Sequence, residues 1–203
     1  LSFRAIFFDL GMVLVTFDWR VAIARFGKLG IPAARVQTFL DDPLHEAFER
    51  NALSEQEFLA RGLAMTGFEG APAEFIKYWN EIFTPLAANI ELARQLAARY
   101  PLYVISNTNP WHMEYVEAEY AWLQIFRERF YSPALGLRKP DARIFEIALA
   151  RAQVAPPDAL FLDDRLENIH GAQAVGMQTL HVPTPQRVTI ELEKLVERTR
   201  EAP

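Results

Sequence analysis

Three short apolar runs end in residues able to handle a charged substrate. Ala5-Ile6-Phe7-Phe8 runs into Asp9, Leu102-Tyr103-Val104-Ile105 into Ser106 and Asn107, and Leu160-Phe161-Leu162 into Asp163 and Asp164. A lysine, Lys139, lies between the second and third, followed by Pro140 and Asp141. Taken singly, each has a plain structural reading. Asp9 ahead of Gly11 reads as a turn residue, Ser106-Asn107-Thr108-Asn109 as a capping loop, Asp163-Asp164 as a helix cap and Lys139 as a solvated lysine at a helix start. Parallel strands, however, set Asp9, Ser106, Asp163 and Asp164 along one sheet edge. Two adjacent acids at the end of a buried strand call for a cation or a set of donors. Carboxylates at such an edge suit a hard ion such as Mg²⁺, which takes one or two protein carboxylates, waters and a substrate phosphate. An ammonium and a hydroxyl suit the remaining phosphate oxygens.

The elements that would position these groups follow from hydrophobic patterning. Continuous apolar runs, with a fourth at Thr179-Leu180-His181-Val182, predict strands buried on both faces. Helical spacing recurs at Glu91 to Tyr100, Asp141 to Arg151, Asn168 to Val175 and Thr189 to Thr199. This alternation predicts an α/β fold with a doubly wound, Rossmann-like parallel sheet. From about Asp18 to Phe83 the alternation stops, and the stretch reads as consecutive helices with no convincing strand. Asp18 suits a helix N-cap, Ser54-Glu55-Gln56-Glu57 a capping box, and Pro72 to Phe83 a further helix. The expected organisation is an α/β core made of residues 1–15 and 86–203, with an all-helical cap, 16–85, inserted.

Composition narrows the classes. The chain has 203 residues, 51% hydrophobic and 23% charged, with a net charge of −5. That balance provides no overall basic field for nucleic acid or anionic lipid. The cysteine count is zero, so thiolate zinc sites and cysteine nucleophiles are excluded. No apolar run reaches a membrane span and no secretory signal is evident, so a cytoplasmic location is expected. Neither the Gly-Lys-Ser/Thr phosphate loop nor the dinucleotide glycine fingerprint occurs.

The order of these motifs resembles the haloacid dehalogenase-like (HAD) hydrolase superfamily. It is carried by Phe7-Phe8-Asp9-Leu10-Gly11-Met12-Val13, Val104-Ile105-Ser106-Asn107-Thr108-Asn109, Gly136-Leu137-Arg138-Lys139-Pro140-Asp141 and Phe161-Leu162-Asp163-Asp164-Arg165-Leu166-Glu167-Asn168, and spans nearly the whole chain. The Asp-Leu-Gly and Ser-Asn-Thr-Asn forms are similar to the branch that holds sugar-phosphate phosphatases. The resemblance implies a Mg²⁺-dependent phosphatase acting on a small phosphorylated metabolite, as monomer or homodimer. Asp9 would be the nucleophile, forming an aspartyl-phosphate. Asp9, the Gly11 carbonyl and Asp164 would hold Mg²⁺. Lys139, Ser106 and the Asn107 amide would hold phosphate. Asp163 and Asn168 would orient these groups, while the helical cap excludes water and selects the leaving group.

One position departs from that pattern. Most phosphatases of the family carry an acid/base aspartate two residues after the nucleophile, where this chain, like phosphatases of the branch it resembles, has glycine, Gly11. Asp18, His45 and His112 are the candidate replacements, with Asp18 also a simple helix cap. The remaining readings are a metal-independent 2-haloacid dehalogenase, against which Asp163-Asp164 speaks, and a slow or non-catalytic binding protein, for which Gly11 speaks. His170 and His181 are expected to serve packing or loop edges. The tryptophans are expected in the core, with Trp19 and Trp111 able to line a pocket, and the Glu191 to Glu201 run forms a solvated helix face.

Overall fold

Side chains alternate between the two faces of a strand, so a run that is apolar throughout must be covered on both sides. The computed structural model describes residues 3–201, with side chains from Phe3 to Arg198. The chain begins with β1 (Ala5–Phe8) and β2 (Val15–Phe17). Five helices follow, α1 (Trp19–Lys28), α2 (Ala33–Leu40), α3 (Leu44–Glu49), α4 (Glu55–Thr66) and α5 (Pro72–Asn80). After β3 (Phe83–Pro85) come α6 (Ala87–Ala97), β4 (Leu102–Ser106), α7 (Pro110–Glu119), β5 (Glu128–Tyr131), α8 (Ser132–Leu135) and α9 (Ala142–Ala152). The chain continues with β6 (Ala159–Asp163), α10 (Leu166–Ala174), β7 (Gln178–His181) and α11 (Pro185–Glu201).

Five strands form one parallel sheet in the order β5-β4-β1-β6-β7. Ile6 and Phe8 of β1 pack with Val104, Leu160 and Leu162 against α6 and α11. Ala5 and Phe7 face the other way, toward Phe161, α9 and α10. The strand order reverses between β1 and β6, and the crevice at their carboxyl ends is where such sheets place ligands. The fold is thus the expected doubly wound α/β sheet.

The helices α1 to α5 enclose a separate apolar centre. Phe26, Phe39, Phe48, Phe58, Phe75 and Trp79 are fully buried there. Ser54 caps α4, accepting from the Glu57 amide while the Glu57 carboxylate takes the Ser54 N–H. The connections to this helical group are two short strands. β2 and β3 pair antiparallel, Val15 opposite Pro85 and Phe17 opposite Phe83.

Several expectations need correction. The stretch read as helix to Phe83 ends at Asn80, and Phe83 starts β3, a strand too short to leave a periodic signature. β5 was not foreseen, because Glu128 and Arg129 break the apolar run at what proves to be a sheet edge. α6 starts at Ala87 rather than Glu91, and α10 at Leu166 rather than Asn168. Within the charged run on α11, Glu191 is buried and bound by Arg187 and Lys194, so that face is not fully solvated. The run's end, the side chains of residues 199–201, and the outermost residues assigned to the core, 1–2 and 202–203, lie outside the described residues.

Candidate active site

Asp9 follows the last residue of β1, and its N–H donates to the Leu162 carbonyl of β6 at 2.8 Å. The chain then turns back sharply. The Leu14 and Val15 amides donate to Leu10 O, the Met12 amide donates to Val15 O, and Met12 takes a positive φ of 57°. Asn89 of α6 donates to Val13 O at 2.9 Å and accepts from Thr189 of α11, which ties this turn to the core.

Ser106 and Asp163 close β4 and β6, so the sheet brings three strand ends to one edge. Lys139 arrives there from the segment between α8 and α9. Its Nζ lies 2.7 Å from Asp9 Oδ1 and 2.6 Å from Asp163 Oδ2, with the lysine side chain 1% exposed. The segment is held by Asn107, whose Oδ1 accepts from the Lys139 amide and whose Nδ2 donates to the Lys139 carbonyl. Asp163 is saturated. Beyond Lys139 it accepts from Asn168 Nδ2 at 2.9 and 3.0 Å and from the Arg165 amide at 2.8 Å. Asp164 is half-buried beside it.

Carboxylate oxygens of Asp9, Asp163 and Asp164 all lie within 4.8 Å of one another. Three acids against one buried ammonium leave negative charge unbalanced. Burial pushes the Asp9 carboxyl up to about 7, with Asp163 and Asp164 adding to the rise and Lys139 opposing it. Asp164 is likewise raised, by burial and by Asp163. Lys139 is raised despite burial, by Asp163 and Asp9. A set of hard oxygen donors with surplus negative charge is what a divalent oxygen-seeking cation fits. Asn168 Oδ1, buried with no protein partner, is a further oxygen left to accept from a water.

The three candidate replacements for the missing acid/base are each engaged by other groups. Asp18 is the N-cap of α1, bound to the Arg20 amide and guanidinium, which hold its carboxyl below the usual range. It does not border the cavity above the strand ends. His112 does, but Asn109 Nδ2 donates to its Nδ1 and its Nε2 meets the Trp79 carbonyl. Full burial presses its pKa down to about 3, so it stays neutral. His45 also borders the cavity, with Nε2 2.7 Å from the Phe39 carbonyl and burial lowering its pKa. None of the three offers a free proton at neutral pH. A Cβ on Gly11 would stand 3.2 Å from the Phe17 ring, a close approach that the exposed ring would have to relieve by shifting.

The cavity has a volume of about 470 Å³ and opens onto Leu10, Gly11, Ser106 and Asn107, while the helical group provides its roof. Trp19 lines it, whereas Trp111 is buried among the helices and donates to Glu55 at 2.9 Å. His170 and His181 are exposed, the latter with Nε2 3.0 Å from the Asp164 carbonyl. Sequence reasoning missed Phe17 and Glu49 as cavity residues. It also missed Arg138, which pairs with Glu46 and Glu49 of α3 and so links roof to floor. Arg138 adjoins Lys139, but nothing local marks its partners, which lie about 90 positions earlier.

Known proteins resemble this chain over most of its length. A D-ribitol-5-phosphate phosphatase of Bacteroides thetaiotaomicron is 30% identical over 185 residues, 87% of this chain and 90% of that one. A sesquiterpene phosphatase of Aspergillus oryzae is 29% identical over 202 residues, 96% and 97% of the two chains. A crystal structure of a HAD family enzyme from B. thetaiotaomicron, in complex with magnesium and inorganic phosphate, superposes with a TM-score of 0.80 at 24% identity, covering 89% of this chain and 94% of that one. The model of the haloacid dehalogenase-like hydrolases matches residues 3–176, every strand-end residue described above among them. On that match and those relatives, the chain belongs to the haloacid dehalogenase-like hydrolase family.

Proposed function

We propose that this hydrolase is a Mg²⁺-dependent phosphatase that cleaves a small phosphorylated metabolite through an aspartyl-phosphate on Asp9. The observation that carries this is Lys139 bridging Asp9 and Asp163 at strand ends where Asp164 adds a third acid. An Asp9 oxygen attacks phosphorus as the bond to the leaving oxygen breaks, that oxygen taking its proton from water because Gly11 supplies none, and a second water then cleaves the acyl phosphate to free phosphate and Asp9. A carboxylate approaching a phosphate dianion meets repulsion, so the step depends on cations and on positioning. Lys139 neutralises Asp9 and one phosphoryl oxygen, with Asp163 and Asn168 fixing its direction. Ser106 Oγ and the Asn107 main-chain amide donate to the other oxygens, since the Asn107 side chain is occupied by Lys139. Asp9, the Gly11 carbonyl and Asp164 would hold Mg²⁺, which neutralises further phosphate charge when bound. We assign residues 1–15 and 86–203 to this catalytic core, and 16–85 to a cap that covers it.

The relatives named as phosphatases support the reading, as does magnesium in the B. thetaiotaomicron enzyme. A metal-independent dehalogenase would have no use for three clustered acids served by one lysine. The test is phosphate release from p-nitrophenyl phosphate and a panel of phosphorylated metabolites, with Mg²⁺ or with EDTA. Turnover that requires Mg²⁺ and drops by at least about 10³-fold in Asp9→Asn is expected. Halide release from 2-haloacids that persists in EDTA would refute it.

A further inference from the structure

The cavity walls say what the ester carries beyond its phosphate. Facing the strand ends are Phe17, Trp19, Leu40, Trp79, Ile82 and Phe83. Most of the polar side chains that line the cavity with them are engaged, and Ser106, Asn107 and Thr108 stand at the phosphate end. Asn109 and His112 bond to each other, His112 and His45 meet the carbonyls of Trp79 and Phe39, and Glu49 is paired with Arg138. Gln37 donates to Asp41 at 2.9 Å, on the exposed side of α2. A polyol entering this space would set most of its hydroxyls against rings and aliphatic chains, losing water with few partners in return. At Gly11, where a polar acid would stand, the neighbour is the Phe17 ring.

We infer that the leaving group is apolar: the substrate is a phosphate monoester of a hydrophobic alcohol, and not a sugar or polyol phosphate. The inference rests on the phosphatase reading and specifies its substrate class. Trp19, Phe83 and Leu40 then act as specificity residues, holding the hydrocarbon while the strand ends hold the phosphate. A cavity of about 470 Å³ lies within the ordinary range for a small-molecule site.

A matched pair of esters tests this. n-Octyl phosphate and ribitol 5-phosphate are both primary alkyl monoesters, so their leaving groups are similar in reactivity and a difference reports the walls. With Mg²⁺, kcat/KM for n-octyl phosphate is expected to exceed that for ribitol 5-phosphate at least roughly tenfold. Calorimetric binding of the same two esters to Asp9→Asn is expected to show the same order, independently of turnover. Trp19→Ala should narrow the ratio, and Leu40→Asn, which puts a free amide into the wall, should narrow it from the polyol side. Ribitol 5-phosphate matching or exceeding n-octyl phosphate, in turnover or in binding, would overturn the inference. p-Nitrophenyl phosphate separates the two failures: no Mg²⁺-dependent cleavage of it refutes the phosphatase reading, while the binding order still decides the walls.

Discussion

Lys139 is the side-chain partner of Asp9, whereas Asp163 keeps Asn168 and the Arg165 amide without it. Breaking a buried ion pair from one side leaves the other charge stranded, at a cost of about 3–5 kcal/mol. Lys139→Ala strands Asp9 and leaves Asp163 its hydrogen bonds. It should lower the urea unfolding free energy by about that amount and abolish turnover, whereas a purely catalytic lysine would leave stability unchanged. His112 makes the opposite case, a residue that must stay uncharged. Its pKa near 3 in the fold lies below the ordinary 6.5, so below pH 6.5 the unfolded chain binds a proton there that the native state refuses. Its contribution is therefore whole above pH 6.5 and drains away as pH falls toward 3, at up to about 1.4 kcal/mol per unit. Compared with His112→Gln, the wild-type advantage in unfolding free energy should shrink by on the order of 2 kcal/mol between about pH 7.5 and pH 5. A gap that holds constant would mean His112 titrates normally. The strand-end acids and Ser106 were legible in the sequence because they follow apolar runs, and Lys139 through the Lys139-Pro140-Asp141 motif that lies between two of those runs. The fixed neutrality of His112 was not, because it depends on burial that arises only once the helical group closes over the ring, and that burial outweighs the Trp79 carbonyl, which favours the charged form.

Elements were legible in proportion to how much of their surface is buried. β1, β4 and β6 are covered on both faces and read as unbroken apolar runs. β5, at a sheet edge, carries Glu128 and Arg129, and β2 and β3 span three residues each, so none announces itself. Helix α10 shows packing overruling intrinsic preference. A Cβ on Gly171 would lie 2.5 Å from the Pro140 carbonyl and 3.0 Å from Phe145. Alanine is favoured over glycine in a helix by about 1 kcal/mol, yet the obstacle here is backbone, which has little freedom to yield. Gly171→Ala should destabilise by about 1–3 kcal/mol and lower kcat more than it raises KM, because the displaced segment carries Lys139. Kinetics alongside denaturant melts check both, and a gain in stability would show that the segment adapts freely.

At the scale of the whole molecule, the proposed Mg²⁺ site at Asp9 and Asp164 would couple folding to the cation. A ligand that binds only the native state at about 100 times its Kd adds about 2.7 kcal/mol. Thermal unfolding should rise by the matching increment when MgCl₂ replaces EDTA, and Asp164→Asn should lose most of that rise while still folding. Equal melting temperatures with and without Mg²⁺ would argue that the acids serve structure alone. The α/β layering could be read along the chain because each layer repeats a local pattern. The cavity could not, since its walls come from residues 10 to 116 and meet only after the helical group folds over the sheet. Because Val15 stands opposite Pro85, the chain leaves the sheet and returns to it at one doorstep. The connection itself therefore forces no gap in the sheet, and what ties the intervening block to the lysine is lateral: Arg138, next to Lys139, pairs with Glu46 and Glu49. A change in that block reaches the strand ends through this one ion-pair network before it reaches them through the chain.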